Sequence, residues 1–422
     1  MNTVVSLAWR NLGRNKKRTM MALLAIALAQ FCVLAVDGFM AGYGDSMRNL
    51  MTGPMLGHFQ VHAPKYRDDR SMDLTIAHSA KKISALNSLE EITNVMPRLY
   101  GPALAAKTRE GFMSVVVGVD EKAENGLGGL FAPGVMKLVE GSKNLAIAGD
   151  DGKVPALVGA VLAERQQLSL GDEIAIIGQT SDGSMATELV IVGGIMRSNI
   201  DLVNRLGIVI GLERAQEVFA MEDRVHEFTV RGTFPDEAQA LSERALGLDG
   251  FDKLEVLPWQ KLAPEMVEMM KMQDASTLLV LILVFLAAAA GVANTMLMST
   301  FERTREMGML LALGTGPGRV IGILLTETVL LGLIGIFIGT VLGVGFTLGL
   351  GMDGVDLASL GGGEDMRDLS FQGMTFDLRI YPRVRIEAIF QGLAAMIATC
   401  TLASIWPASY VSQLEPTEAM RR

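Results

Sequence analysis

Cysteine is almost absent. The two that occur, Cys32 and Cys400, both lie in apolar runs, so no disulfide framework holds any part of the chain. Catalytic signatures are missing too. There is no G-x-x-x-x-G-K-[ST], which excludes binding and splitting of ATP by this chain itself in the P-loop manner. Neither G-x-S-x-G nor H-E-x-x-H occurs. Histidine is scarce, with 4 residues. His58 and His62 would share one face of a strand, with His78 near in sequence, but that spacing lacks a third ligand and reads as surface or packing residues, not a metal site. Positive charge is in deficit, with a net charge of −9, which gives no reason to expect nucleic-acid binding.

Apolar residues are plentiful: 50% of the 422 residues are hydrophobic, mean hydropathy is +0.35, and there are 46 glycines. With 20% charged residues, the chain is too apolar for a soluble enzyme and too charged to lie wholly in a bilayer. The expected object is a membrane protein with a sizeable aqueous part.

Residues 19–36 carry no charge and would reach about 27 Å as a helix, close to the ~30 Å hydrocarbon core. The A-x-A form of Ala27-Leu28-Ala29 suggests a cleavable signal peptide, but the apolar run continues well past it. Before it stand Arg10, Arg14, Lys16, Lys17 and Arg18, which place the N-terminus in the cytoplasm by the positive-inside rule. Asp37, at the outer end of this span, reads as an interface residue.

Further runs cover residues 275–300, with no charge, 320–350, interrupted only by Glu327, and 388–414, where Pro407 marks the expected end of the membrane helix. Glu327 lies about 12 Å along a helix from Arg319, inside the membrane, where an ionisable group should face protein and not lipid. Gly335, Gly339 and Gly343 stack on one face of the third span and permit close helix contact, with this chain or another.

Between residues 45 and 274 no run can cross a membrane. Short β-rich stretches (58–62, 114–119, 173–177, 188–192) alternate with helical ones (160–168, 213–220), giving an α+β domain, in one or two lobes, outside the cytoplasm. A second outside loop, 351–385, is glycine-rich at Gly361-Gly362-Gly363. It carries Arg367, Arg379, Arg383 and Arg385, a basic excess that runs against an outside position.

The second and third runs are joined by a charged turn, Phe301 through Gly308, then Leu310-Leu311-Ala312-Leu313-Gly314. Met307, Leu310 and Leu311 share one helical face, and Arg303 and Glu306 are spaced to pair on another. Gly314 and Gly316 can stop that helix, and Pro317 suits the first turn of the next.

This string, with Asn294, Met296, Glu302, Arg303, Arg305, Glu306, Gly308, Ala312, Leu313, Gly314 and Glu327, resembles the signature of the FtsX-like permease family. These are membrane subunits of ABC transporters related to the exporter MacB, the division protein FtsX and the lipoprotein-releasing LolC and LolE. Supporting matches are Trp9-Arg10-Asn11-Leu12 at the start, Leu157-Val158-Gly159 to Asp201 in the outside domain, and Pro416-Thr417-Glu418-Ala419 at the close.

The resemblance implies an α-helical membrane protein with four transmembrane helices and a large extracytoplasmic α+β domain between helices 1 and 2. The expected boundaries are a cytoplasmic segment 1–18, first span and stalk 19–44, periplasmic domain 45–274, second span 275–300, coupling loop 301–319, third span 320–350, periplasmic loop 351–385, fourth span 386–410 and cytoplasmic tail 411–422. It further implies a non-catalytic subunit in the bacterial inner membrane, with both termini cytoplasmic. This chain would bind no cofactor; ATP and Mg would sit on a partner ABC ATPase.

The turn is then a coupling helix. Glu302, Arg303, Arg305 and Glu306 would orient it on the ATPase by charge-assisted hydrogen bonds, and Met307, Leu310 and Leu311 would fill an apolar groove beside Gly308. Asn294 and Glu327 are the intramembrane polar positions. Other implied partners are a second permease copy or a related permease, membrane lipids, and a lipoprotein cargo with its periplasmic carrier. The resemblance favours lipoprotein release, partly because Gly57-His58-Phe59-Gln60-Val61-His62 is similar to LolE-type domains. Two alternatives stand beside it: MacB-like efflux with an adaptor and outer-membrane channel, and FtsX-like signalling to a cell-wall hydrolase.

Overall fold

The computed structural model describes residues 16–146, 153–356, 370–371, 374–375 and 379–412. The N-terminal matches before Lys16, the triple glycine with Arg367, and the closing 415–419 segment lie outside the described residues. The chain divides into two units, one of Met1–Ser46, Met269–Leu357 and Arg379–Arg422, the other of Met47–Glu268 and Ala358–Leu378.

The first unit is helical: α1 (Lys16–Met51), α2 (Pro264–Glu302), α3 (Thr304–Ala312), α4 (Pro317–Asp353) and α5 (Ile386–Ser412). All but α3 are long and apolar enough to cross a membrane. α4 opens on Pro317 behind an extended Gly316, where the missing N–H costs nothing. Pro407 does not end α5, which runs on to Ser412. In a membrane helix, neighbouring groups can absorb the carbonyl that proline leaves without a donor.

The glycine face of α4 is taken up inside the chain. A methyl group on Gly335 would stand 2.8 Å from Ile26 Cγ2 of α1, one on Gly339 would collide with the Ala27 carbonyl, and one on Gly343 would reach Leu34 Cβ at 3.0 Å. Small residues thus let α1 and α4 run in parallel at backbone contact, where dispersion is greatest. Antiparallel α5 joins them: Gly332 faces Cys400, and Gly392 faces Gln30. Gln30 is fully buried and donates Nε2 to Thr340 Oγ1 at 3.3 Å. By contrast α2 leaves Leu278, Leu279, Leu283 and Leu286 about 60% exposed.

At the end of this bundle remote from α3, the stretch 381–383 lies across α1 and α4. Arg383 N–H donates to the Gly38 carbonyl at 3.1 Å, and Gly42 and Gly351 leave room for the Tyr381 and Pro382 carbonyls. Arg385 pairs with Asp37, and Arg383 Nε lies 2.6 Å from Asp45 Oδ2. These two arginines of the second loop are therefore matched by carboxylates of α1.

The second unit is mixed. Its strands are β1 (Phe59–His62), β2 (Ile76–Ala77), β3 (Ile92–Ala106), β4 (Gly111–Val119), β5 (Met136–Gly141), β6 (Val154–Gly159), β7 (Glu173–Gln179), β8 (Met185–Ser198), β9 (Gly207–Gly211), β10 (Arg224–Val225), β11 (Glu227–Gly232) and β12 (Glu255–Pro258). The main sheet runs β12-β1-β11-β3-β4-β9-β6-β8-β5, and β7 bridges β3 and β8. Pairing is antiparallel except for β4 with β9 and β6 with β8. Through β7, the strands β3-β4-β9-β6-β8-β7 close on themselves, which removes free edges. Long β3 makes this possible: its first half pairs with β11 and its last residues with β7.

Three cores result. One fills the closed part (Leu99, Val116, Ile176, Val190, Ile208, Phe219). A second lies between β1, β11 and the helices 79–86 and 238–246 (Phe59, Phe228, Leu86, Leu241). A third gathers Val117, Leu130, Phe131, Met196, Val203 and Val209. Tight turns fall at Gly171 (φ 84°) and Gly183 (φ 86°), where glycine alone avoids strain.

Arg98 is buried and paired in a fork with Glu124, at 2.6 and 2.9 Å. Its third nitrogen donates to the Pro54 carbonyl at 2.5 Å. Glu227 accepts from Tyr100 Oη at 2.8 Å and lies 3.5 Å from His62 Nε2. Burial would push the Glu227 carboxyl up, but His62, Arg98 and Tyr100 outweigh it and bring it down to about 2. His58 accepts the Gly232 N–H on Nδ1 at 3.0 Å. His78 is exposed, 3.8 Å from Asp223.

Candidate coupling site

α2 ends at Glu302, and Arg303, at φ −107° and ψ 9°, turns the chain into α3. α3 closes with a double hydrogen bond, Gly314 N–H to the Leu311 carbonyl and Thr315 N–H to the Leu310 carbonyl, both 3.0 Å, around Gly314 at φ 83°. That left-handed cap satisfies the last carbonyls and turns the chain toward Gly316 and α4.

A helix of 9 residues does not persist alone in water, so its most apolar face must be spent on packing. Met307 is buried, and Leu310 and Leu311 are half-buried against a core that includes Met296 of α2 and Val320 and Leu324 of α4. The resemblance implies a groove on a partner for this face. The structure instead uses it to hold α3 on its own helices, with Gly308 buried beside it.

Arg303 is likewise turned inward. Its Nη1 lies 3.1 and 3.4 Å from the two Glu327 oxygens, and the side chains are 6% and 3% exposed. It was expected among the outward docking charges; a buried guanidinium with a carboxylate in reach has far more to gain from pairing there. Glu327 on α4 faces protein. Asn294 is exposed on α2.

The outward side of α3 is a different set. Arg305, Met309 and Leu313 follow at four-residue steps, and Met309 and Leu313 are 46% and 83% exposed. Glu302 and Phe301 are exposed beside them, and the Phe301 ring meets Tyr410 edge-on with centroids 5.7 Å apart. Glu306 is half-buried. Met309 is absent from the residues the sequence singles out, and Leu313 stands there only as part of the family signature. Their signal was the helical step from Arg305, masked because Met307, Leu310 and Leu311 form the more apolar face.

Four membrane-type helices, a large mixed domain between the first two, and a short amphipathic helix between the second and third define a membrane permease architecture. Comparison with known proteins gives it a family. The MacB-like periplasmic core domain matches residues 19–248, and the FtsX-like permease C-terminal region matches residues 278–416. The chain belongs to the ABC transporter permeases of this MacB/FtsX type.

It is 41% identical over 71 residues to the macrolide export ATP-binding/permease protein MacB of Nitrobacter winogradskyi, covering 16% of this chain and 11% of that one. It is 30% identical over 137 residues to the ABC transporter permease YtrF of Bacillus subtilis, covering 32% of this chain and 29% of that one. The chain thus spans about a third or less of the curated relatives it matches. The periplasmic region of MacB from Actinobacillus actinomycetemcomitans aligns at a TM-score of 0.36 and 12% identity, over 53% of this chain and 97% of that one.

Proposed function

We propose that this permease is driven by a separate ABC ATPase, whose conformational change reaches the domain between the first two spans through α3. The ATPase would carry ATP and Mg. The observation that supports this reading is the outward Arg305–Met309–Leu313 stripe: an apolar surface with a charge at one end, on a short helix between two spans, suits a helix-in-groove contact. In this arrangement the protein sits in a bacterial inner membrane with α3 and both termini cytoplasmic and the mixed domain periplasmic.

A second permease, identical or related, would cover α2. Its exposed face carries the Asn294 amide, which is better hydrogen-bonded to another helix than left in hydrocarbon.

For the cargo we propose a lipoprotein, extracted from the membrane and passed to a periplasmic carrier. Supporting this is an apolar sheet surface. Met113 of β4, Leu104 of β3 and Ile177 of β7 stand opposite one another in register, with Met185 and Leu189 of β8 on the same face, and all are exposed. Such a contiguous patch is a surface for apolar or protein contact. The match to a macrolide exporter favours efflux with an adaptor and a channel as the second reading.

Mass spectrometry of what co-purifies in mild detergent tests both levels. An ATPase with a lipid-modified protein is the expected result. An adaptor and a channel would turn the cargo assignment to efflux, a cell-wall hydrolase to signalling. Met309→Asp with Leu313→Asp should lose the ATPase while the permease still folds. Retention of the ATPase by this variant would reject the stripe as the docking surface.

A further inference from the structure

We propose that Arg303 and Glu327 form a positioning pair that clamps the coupling helix to α4, so that α3, α4, α1 and α5 move as one body. This rests on the coupling reading given above and names the residues that make the helix rigid.

Four observations carry it. First, the pair joins the turn that begins α3 to a site well inside α4, 24 residues along the chain and almost sealed from solvent. A buried pair of this kind resists parting, because separation leaves an unmatched charge in a medium that solvates it poorly. Second, α4 packs closely on α1: a Cβ added at Gly339 would meet the Ala27 carbonyl, and one at Gly335 or Gly343 would meet the Ile26 or Leu34 side chain, which leaves little room for sliding. Third, α5 packs on both, with Cys400 against Gly332 of α4 and Gly392 against Gln30 of α1, and Gln30 itself donates to Thr340 of α4. Fourth, the far end is fastened by Arg385 to Asp37 and Arg383 to Asp45.

The polar contacts thus stand at three levels along the same bundle, and Met307, Leu310 and Leu311 press α3 onto its near end. A displacement delivered to α3 would therefore be passed to α1, the helix that continues to Met51. α2, whose apolar surface is mostly uncovered, would serve as the connection to α3 and not as the main rod.

The test uses the full chain in nanodiscs and hydrogen exchange of the α3 amides. Glu327→Gln keeps shape and removes the charge. In the permease alone, α3 amides should exchange at least about tenfold faster in this variant, because local opening becomes easier. Exchange in the middle of α1 and α5 should hardly change. The swap Arg303→Glu with Glu327→Arg should restore slow exchange. This arm needs no ATPase, so it can fail or succeed apart from the coupling reading.

The second arm uses whichever complex co-purifies, with Mg-ATP and vanadate. Wild type should show a nucleotide-dependent change in exchange near the end of α1, and Glu327→Gln should lose most of it while still hydrolysing ATP. Unchanged α3 exchange in Glu327→Gln overturns the clamp. A nucleotide response at wild-type size in that variant overturns its role in transmission. If Glu327→Gln does not fold, Arg303→Gln is read in its place. It removes the other charge of the pair, and the same two outcomes decide.

Discussion

Arg98 shows how much a single side chain can hold. It lies on β3 at the point where the edge of that strand passes from β11 to β7, and it reaches Glu124 and the Pro54 carbonyl. An arginine in this position costs desolvation, and the fork with Glu124 offsets that cost only while both partners are present. Glu124→Ala should therefore destabilise the mixed domain by about 3–5 kcal/mol. Arg98→Met with Glu124→Leu, which removes both charges, should cost much less. Urea unfolding of the three proteins compares them. Equal losses in the single and double variants would show that packing, not charge, decides.

At the scale of elements, the glycines of α4 divide into two kinds. Gly335, Gly339 and Gly343 are filled by α1, whereas Gly345 and Gly349 have nothing within 4 Å. Gly339→Ala should force α1 and α4 apart and lower the stability of the helical unit by about 1–3 kcal/mol. Gly345→Ala and Gly349→Ala on the same helix should be neutral or slightly stabilising, since alanine is the better helix former. The midpoint of thermal unfolding in one detergent ranks the three. A uniform effect would mean that helix propensity, and not close packing, governs.

For the molecule as a whole, pH dependence collects several buried groups of the mixed domain. Burial, helped by Arg231, pushes His58 down to about 4, and burial lowers His226 as well. Both are neutral in the fold, whereas an unfolded chain would bind protons near the ordinary value of 6.5. Stability from these groups is complete above that value and is lost as pH falls below it, for His58 down to about 4. Glu227, held at about 2, loses its contribution only further down, below the ordinary carboxylate range. The unfolding midpoint of this domain should thus fall between pH 7 and pH 5. His58→Asn, which keeps an acceptor for the Gly232 N–H without a titrating ring, should flatten that slope. An unchanged slope would assign the effect to other groups.

The sequence by itself determined the four membrane-type helices, because run length and the absence of charge settle what a bilayer accepts. It also determined the mixed character of the inserted domain, from its alternating patterns, and the stop at Gly314, which only a residue tolerant of positive φ provides. Tertiary structure decided what each face is for. Helical periodicity marks Met307, Leu310 and Leu311 as a stripe, but it carries no information on whether that stripe meets this chain or another. The same holds for Arg303, whose partner Glu327 is remote in sequence, and for the glycines of α4, whose neighbour is α1. Closure of the sheet through β7 was illegible for the same physical reason: strand pairing depends on partners far along the chain, whereas local pattern reports only which side of each strand is apolar.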